Sequence, residues 1–128
     1  MREAVIVSTA RTPIGKAYKG AYNNTNAPKL GGFAIKNAFE KAGISPEKID
    51  DVIMGCAMQQ GTSGGNIARL AALSAGLPNS VCGMSIDRQC SSGMMAIATA
   101  AKQIIVDGMD TVVGCLLYTS PSPRDEKV

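Results

Sequence analysis

The stretch from Ser91 to Val106 sets the tightest limit on what this chain can fold into. Met94, Met95, Ala96, Ile97, Ala98, Ala100, Ala101, Ile104 and Ile105 leave it no wide polar face before Lys102. A helix that is apolar nearly all round is buried on all sides, and the simplest arrangement that buries it is a layer between two sheets. The rest of the chain supplies the strands. Ala4 to Ser8 (AVIVS), Asp51 to Met58 (DVIMGCAM) and Val81 to Asp87 (VCGMSID) are short continuous apolar runs, the pattern of strands covered on both faces, and Asp110 to Gly114 starts a fourth.

Helices fill the intervals. From Lys29 to Ala42 the residues Leu30, Ala34, Ala38 and Ala42 recur at i+4, with Ile35 and Phe39 alongside, and Gly43 closes the helix. Ser45-Pro46-Glu47 has the form of an N-cap and first turn. The glycine loop Gly61 to Gly65 leads into a helix of small residues, Asn66 to Ala75, that stops at Gly76 before Pro78. Thr9 to Pro28 is loop by composition, long enough to expect a functional role. The order β-α-β-α-β-α-β predicts a layered α/β fold with a mostly parallel sheet and right-handed crossovers.

Composition then narrows the chemistry. The 128 residues contain 4 Cys and no His. A Ser/His/Asp or Cys/His pair, a histidine metal site or an imidazole base would each need a residue from elsewhere. Cys56, Cys82 and Cys90 form no CxxC pair, so no metal site is expected. The net charge of +3 is spread along the chain, apart from Arg2, Arg11, Lys16, Lys19 and Lys29 near the start, which read as a solvated basic face; nucleic acid is not expected as a partner. No apolar stretch approaches the ~18 residues of a membrane span, and Met1-Arg2-Glu3 does not open a signal peptide, so a cytoplasmic protein away from membranes, with its cysteines as thiols, is expected.

One cysteine stands apart. In Asp87-Arg88-Gln89-Cys90-Ser91-Ser92-Gly93-Met94 a strand ends and the apolar helix begins, with Cys90 at the junction. Unpaired N–H groups and the positive end of the helix dipole favour an anion there, so a cysteine in that place gains thiolate character and becomes a candidate nucleophile. The same N–H groups could steady an oxyanion on a bound carbonyl. The competing reading is a small buried hydrophobe, which suits Cys56 and Cys82 within their strands better. The Gly61-Thr62-Ser63-Gly64-Gly65 loop could receive a phosphate, but it lacks the GK[ST] ending of a P-loop and reads as a strand-to-helix turn.

Four segments together give the chain a resemblance. Arg11-Thr12-Pro13-Ile14-Gly15-Lys16, Gly65-Asn66-Ile67-Ala68-Arg69, Ala75-Gly76-Leu77-Pro78 and Asp87-Arg88-Gln89-Cys90-Ser91-Ser92-Gly93, in that order, resemble the amino-terminal quarter to third of a thiolase. The resemblance implies a two-half αβαβα layered fold, of which residues 1–114 would form most of the first half. It implies that Cys90 is the acyl-accepting nucleophile of an acyl-CoA acyltransferase, with its backbone N–H in an oxyanion hole. It also implies coenzyme A as substrate rather than as a permanently bound cofactor, an acyl-CoA partner, and a homodimer or homotetramer for the full-length protein. The histidines and second cysteine that thiolases carry in their later half do not occur in this sequence, so the 128 residues alone are expected to be inactive, with the apolar helix exposed.

Two alternatives remain at this level: a non-catalytic thiolase-like protein that binds acyl-CoA or lipid, and a thiol redox protein pairing Cys90 with Cys56 or Cys82. Residues 115–128, beginning Cys115-Leu116-Leu117-Tyr118, carry two Pro and a Ser/Thr cluster and have no strand or helix period after Tyr118, and they resemble a translated library-preparation adapter; a disordered or non-native tail is expected there.

Overall fold

The computed structural model of the chain describes residues 1–15 and 20–118. Three parallel strands, β1 (Asp51–Gly55), β2 (Cys82–Ile86) and β3 (Val112–Leu116), form one sheet in the order β2-β1-β3. Asp51 stands beside Cys82 on one side and Val112 on the other, and Gly55 beside Ile86 and Leu116. Parallel neighbours need crossovers, which α2 (Ile67–Ser74) and α3 (Ser92–Ile105) provide, and α1 (Ala27–Ala42) precedes the sheet.

Alternation along the central strand divides the core. Val52 and Met54 face α1 and α2, where Ile35, Phe39, Ile67, Ala68, Ala71 and Ala72 complete the larger cluster. Ile53 faces α3 and meets Ala96 and Ala100. All five residues of β1 are buried, as the unbroken apolar run predicted. Asp50 ties its leading end to both neighbours. Its carbonyl accepts from the Cys82 N–H, and its carboxylate accepts from the N–H groups of Asp110 (2.9 Å) and Thr111 (3.3 Å).

Several expectations change in detail. The helix expected from Lys29 begins at Ala27, because Asn26 caps it by accepting from the Lys29 N–H at 2.9 Å and Pro28 suits the first turn. Its far end is as expected, with Gly43 at φ 69. The Ser45-Pro46-Glu47 start leads to a single 3-10 turn, Pro46–Lys48, and the Ser45 hydroxyl donates to the Glu47 carboxylate instead of capping the backbone. The strand expected to reach Met58 ends at Gly55.

The largest difference lies at the start of the chain. Ala4 to Ser8, expected as a buried central strand, is not in a strand, and Val5, Ile6 and Val7 are 68–73% exposed. A central strand gains a hydrogen-bond ladder on each side, whereas this segment runs along a cavity of about 480 Å³ in which β3 is the one strand among the walls. The cavity walls include Ala38 and Phe39 of α1, Ala100 and Ile104 of α3, and Val113 of β3.

The second difference concerns α3. Only Ser92, Ala96 and Ala100 are buried, while Met94 is 77% and Ile97 50% exposed. One sheet covers one face of this helix, giving three layers among the described residues. The open face is the apolar surface expected of a middle-layer helix lacking its second sheet.

The strand expected from Asp110 to Gly114 runs from Val112 to Leu116. Residues 119–128 of the expected tail, and Lys16 and Lys19 of the basic group, lie outside the described residues. Burial pushes the Cys115 thiol up to about 11 from an ordinary 9.0, outweighing its hydrogen bond to the Leu116 carbonyl. The unfolded chain therefore releases this proton first, so the contribution is intact below about pH 9 and is lost as pH rises towards about 11. Urea midpoints across that window are expected to fall less steeply in Cys115→Ala than in the parent chain.

Candidate active site

β2 delivers the chain to the candidate nucleophile, and α2 holds β2 in place. Val81, Gly83 and Ser85 share the face turned to α2. A Cβ on Gly83 would lie 2.6 Å from the Arg69 backbone nitrogen, so only glycine lets the helix lie this close. Asn66, in the left-handed region at φ 61, donates from Nδ2 to the Gly83 carbonyl at 3.0 Å, and its Oδ1 accepts from the Ser85 hydroxyl at 2.8 Å. The Ser85 Oγ in turn accepts from the Ala68 N–H at 3.0 Å, capping α2 from the neighbouring strand. The Arg69 guanidinium donates to the Val81 carbonyl.

The Gly65-Asn66-Ile67-Ala68-Arg69 motif thus stitches α2 to β2. Asn66→Ala should cost about 1–2 kcal/mol by removing both hydrogen bonds while keeping the strained backbone, and Asn66→Gly should cost less. Thermal or urea unfolding of the two variants measures the order.

The glycine loop is absorbed in the same way. A 3-10 turn, Gly61–Ser63, opens it; Thr62 Oγ1 accepts from the Ala27 N–H at 3.1 Å, and the buried Ser63 hydroxyl bonds the Met58 and Gln60 carbonyls, each at 2.8 Å. Its hydroxyls serve the turn, as the strand-to-helix reading predicted.

After Ile86 the chain turns sharply. Asp87 Oδ1 accepts from the Gln89 N–H at 2.8 Å, a 3-10 turn spans Gln89–Ser91, and α3 follows without a break. Gln89 takes φ 51, which L side chains adopt rarely and which marks strained, often functional, backbone. Cys90, next in line, is exposed at the amino end of a fourteen-residue helix. The flanking amides are engaged within the turn: Arg88 N–H to Ser92 Oγ, Gln89 N–H to Asp87, Ser91 N–H to the Arg88 carbonyl and Ser92 N–H to the Gln89 carbonyl.

Of the other cysteines, Cys56 is fully buried just past β1, in keeping with its reading as a small hydrophobe, and Cys115 is half-buried. Cys82 departs from that reading: it is exposed, because β2 is an edge strand and Cys82 is its first residue, on the face away from α2. Among the described residues no group of three or more His, Cys, Asp or Glu is placed to hold a metal ion.

Sequence reasoning missed Ser92 and Gly55. Ser92 is fully buried, and a Cβ on Gly55 would lie 2.4 Å from its carbonyl oxygen, so the first turn of α3 rests directly on the end of β1. A serine at a helix start was a readable signal for Ser92. Nothing local marked Gly55.

Comparison with known proteins agrees with this arrangement. Residues 4–115 match the family profile for the thiolase N-terminal domain. The chain is 43% identical over 113 residues to a 3-ketoacyl-CoA thiolase of Bacillus subtilis, covering 88% of this chain and 29% of that protein. It is 45% identical over 113 residues to an acetyl-CoA acetyltransferase of Cupriavidus necator, covering 88% and 28% respectively. The crystal structure of the Bacillus anthracis acetyl-CoA acetyltransferase is similar with a TM-score of 0.82 at 40% identity, over 90% of this chain and 29% of that one. The chain therefore spans less than a third of the length of these relatives. With its parallel sheet, its strand-to-helix turn at Cys90 and a profile match over most of its length, the chain belongs to the thiolase family.

Proposed function

We propose that this chain carries the acyl-accepting nucleophile of an acyl-CoA acyltransferase, and that the nucleophile is Cys90. The observation that carries the reading is an exposed thiol at the amino end of α3, immediately after a residue at φ 51. In the thiolytic direction the Cys90 thiolate attacks the 3-oxo carbon of a 3-oxoacyl-CoA. The bond between carbons 2 and 3 breaks, its electron pair leaves with acetyl-CoA and is protonated, and the shortened acyl group stays on sulfur as a thioester. The thiol of a second CoA then attacks that thioester and restores the cysteine. Condensation of two acetyl-CoA units is the reverse. The Cys90 N–H is the amide proposed to meet the oxyanion, since its neighbours at 88, 89, 91 and 92 are engaged in the turn.

The sequence contains no histidine, so the base that activates Cys90 and the acid that protonates the leaving group belong, in this reading, to further sequence of a longer protein. The 128 residues alone turn nothing over. CoA enters as substrate, and the complete protein is a homodimer or homotetramer in the cytoplasm. The residues beyond about 115, where the profile match ends, are proposed as a tail outside the family's sequence, and resequencing the source locus across codon 114 tests that.

The chemical test is acyl trapping. Brief incubation of the full-length protein with acetyl-CoA labelled in the acetyl group should leave a thioester on the peptide containing Cys90. Label on Cys82, which is also exposed, or binding with no label, would overturn the assignment, the latter in favour of a non-catalytic acyl-CoA-binding relative.

A further inference from the structure

We infer that Ser92 is a positioning residue for Cys90, acting by closing a hydroxyl clamp across the turn that presents the thiol; its functional meaning rests on the reading of Cys90 as nucleophile. Three observations converge on Ser92. Its Oγ accepts from the Arg88 N–H at 2.8 Å and donates to the Gln89 carbonyl at 2.7 Å, so one hydroxyl joins both residues that precede Cys90. Its side chain is fully buried. Its backbone sits where a Cβ on Gly55 would stand, 2.4 Å from O and 2.5 Å from C, so Ser92 rests against the end of the central strand.

The clamp accounts for the backbone at Gln89. An L residue at φ 51 persists only when its surroundings over-determine it. The Gln89 N–H is taken by the Asp87 carboxylate and its carbonyl by Ser92, through both the hydroxyl and the N–H. With the peptide units on both sides of Gln89 fixed, Cys90 has one orientation at the amino end of α3. Removing the hydroxyl takes the partner from the Arg88 N–H and one of two partners from the Gln89 carbonyl, in a turn whose bonds to Ser92 are part-buried, and the turn escapes that cost by opening. Cys90 is already exposed, so opening gains it no access and takes it away from the helix end that favours its thiolate.

The test is iodoacetamide labelling of the full-length protein at a single pH, with the rate read separately at each cysteine-containing peptide. In Ser92→Ala the Cys90 rate should fall about tenfold, the loss of one well-made part-buried hydrogen bond. Cys82, exposed on β2, should keep its rate, and the buried Cys56 should remain protected. Gln89→Gly supplies the second variant, because glycine accepts a positive φ without help. The double variant Ser92→Ala/Gln89→Gly should regain most of the Cys90 rate, which a purely structural defect at Ser92 would not allow.

An unchanged or faster Cys90 in Ser92→Ala overturns the inference, as does an equal loss with and without Gln89→Gly. If Ser92→Ala exposes Cys56 to labelling and the double variant does too, Ser92 serves the fold rather than the thiol, and the inference fails. If the double variant alone is protected and reactive, the inference stands. Acyl trapping on the unsubstituted protein is the separate control: absence of label on Cys90 sinks the proposed function, while the alkylation cycle still decides whether Ser92 orients this thiol.

Discussion

Cys90→Ala in the full-length protein is expected to lower acyl transfer by at least about a thousandfold while leaving folding stability within about 0.5 kcal/mol of the parent. The two halves of that expectation come from different features. Cys90 is exposed and does not contribute to either apolar cluster, so truncating it leaves no cavity. The turn around it is held by Asp87, Arg88, Gln89 and Ser92, none of which bonds the thiol in these contacts. Activity, in the proposed mechanism, passes entirely through a covalent bond to that sulfur, and no neighbouring group can substitute for it. Steady-state turnover and urea unfolding on the same preparation separate the two effects. Residual transfer within tenfold of the parent would remove Cys90 from the mechanism, and a large loss of stability would show that the thiol packs in a way the structure does not contain.

Gly55→Ala is expected to do the opposite, damaging the fold first and the site as a consequence. The added Cβ would lie 2.4 Å from the Ser92 carbonyl oxygen, 2.5 Å from its carbon and 2.9 Å from the Gly93 nitrogen. All three are backbone atoms, so no side chain can swing away, and α3 must lift as a unit from β1. Overpacking of this kind costs about 3 kcal/mol or more, a large share of the ~5–15 kcal/mol that holds a domain together. Because the displaced atoms belong to the turn after Cys90, whatever remains folded should also label slowly at that cysteine. Chemical denaturation reads the first effect and alkylation the second; a midpoint within about 0.5 kcal/mol of the parent would contradict the close approach.

Much of the architecture was legible because its signals are local. The apolar runs at 51–55 and 82–86, the i+4 pattern ending at Gly43 and the small-residue helix after Asn66 all lie where composition and period put them. Misplacements occurred where a distant element decides. Cys56 to Met58 continue the apolar run, yet the strand stops at Gly55, where α3 crosses. Ala4 to Ser8 has the composition of a central strand, and composition cannot supply the second neighbour such a strand needs. Cys82 reads as interior until the strand order makes β2 an edge.

At the site, Cys90 was legible from its place at a strand-to-helix junction, and the Asn66 motif from resemblance. What Asn66 does was not readable, because its partners, Gly83 and Ser85, come from the next strand. The start of α1 was a signal overlooked rather than one missing, since Asn26-Ala27-Pro28 is a helix opening in its own right.

The order β2-β1-β3 also bears on how the chain comes to be folded. β1 is made first and occupies the middle, so it must hold its register for two partners that arrive later. β3 lies roughly twice as far along the chain as β2, and closing the longer loop costs only about 0.6 kcal/mol more, so timing rather than entropy separates the two pairings. During synthesis β1 and β2 can pair while the other flank of β1 stays bare until Leu116 has left the ribosome. A nascent chain stalled before Val112 would present an unsatisfied strand edge that is apolar beyond Asp51, the kind of surface on which chaperones act and aggregation begins.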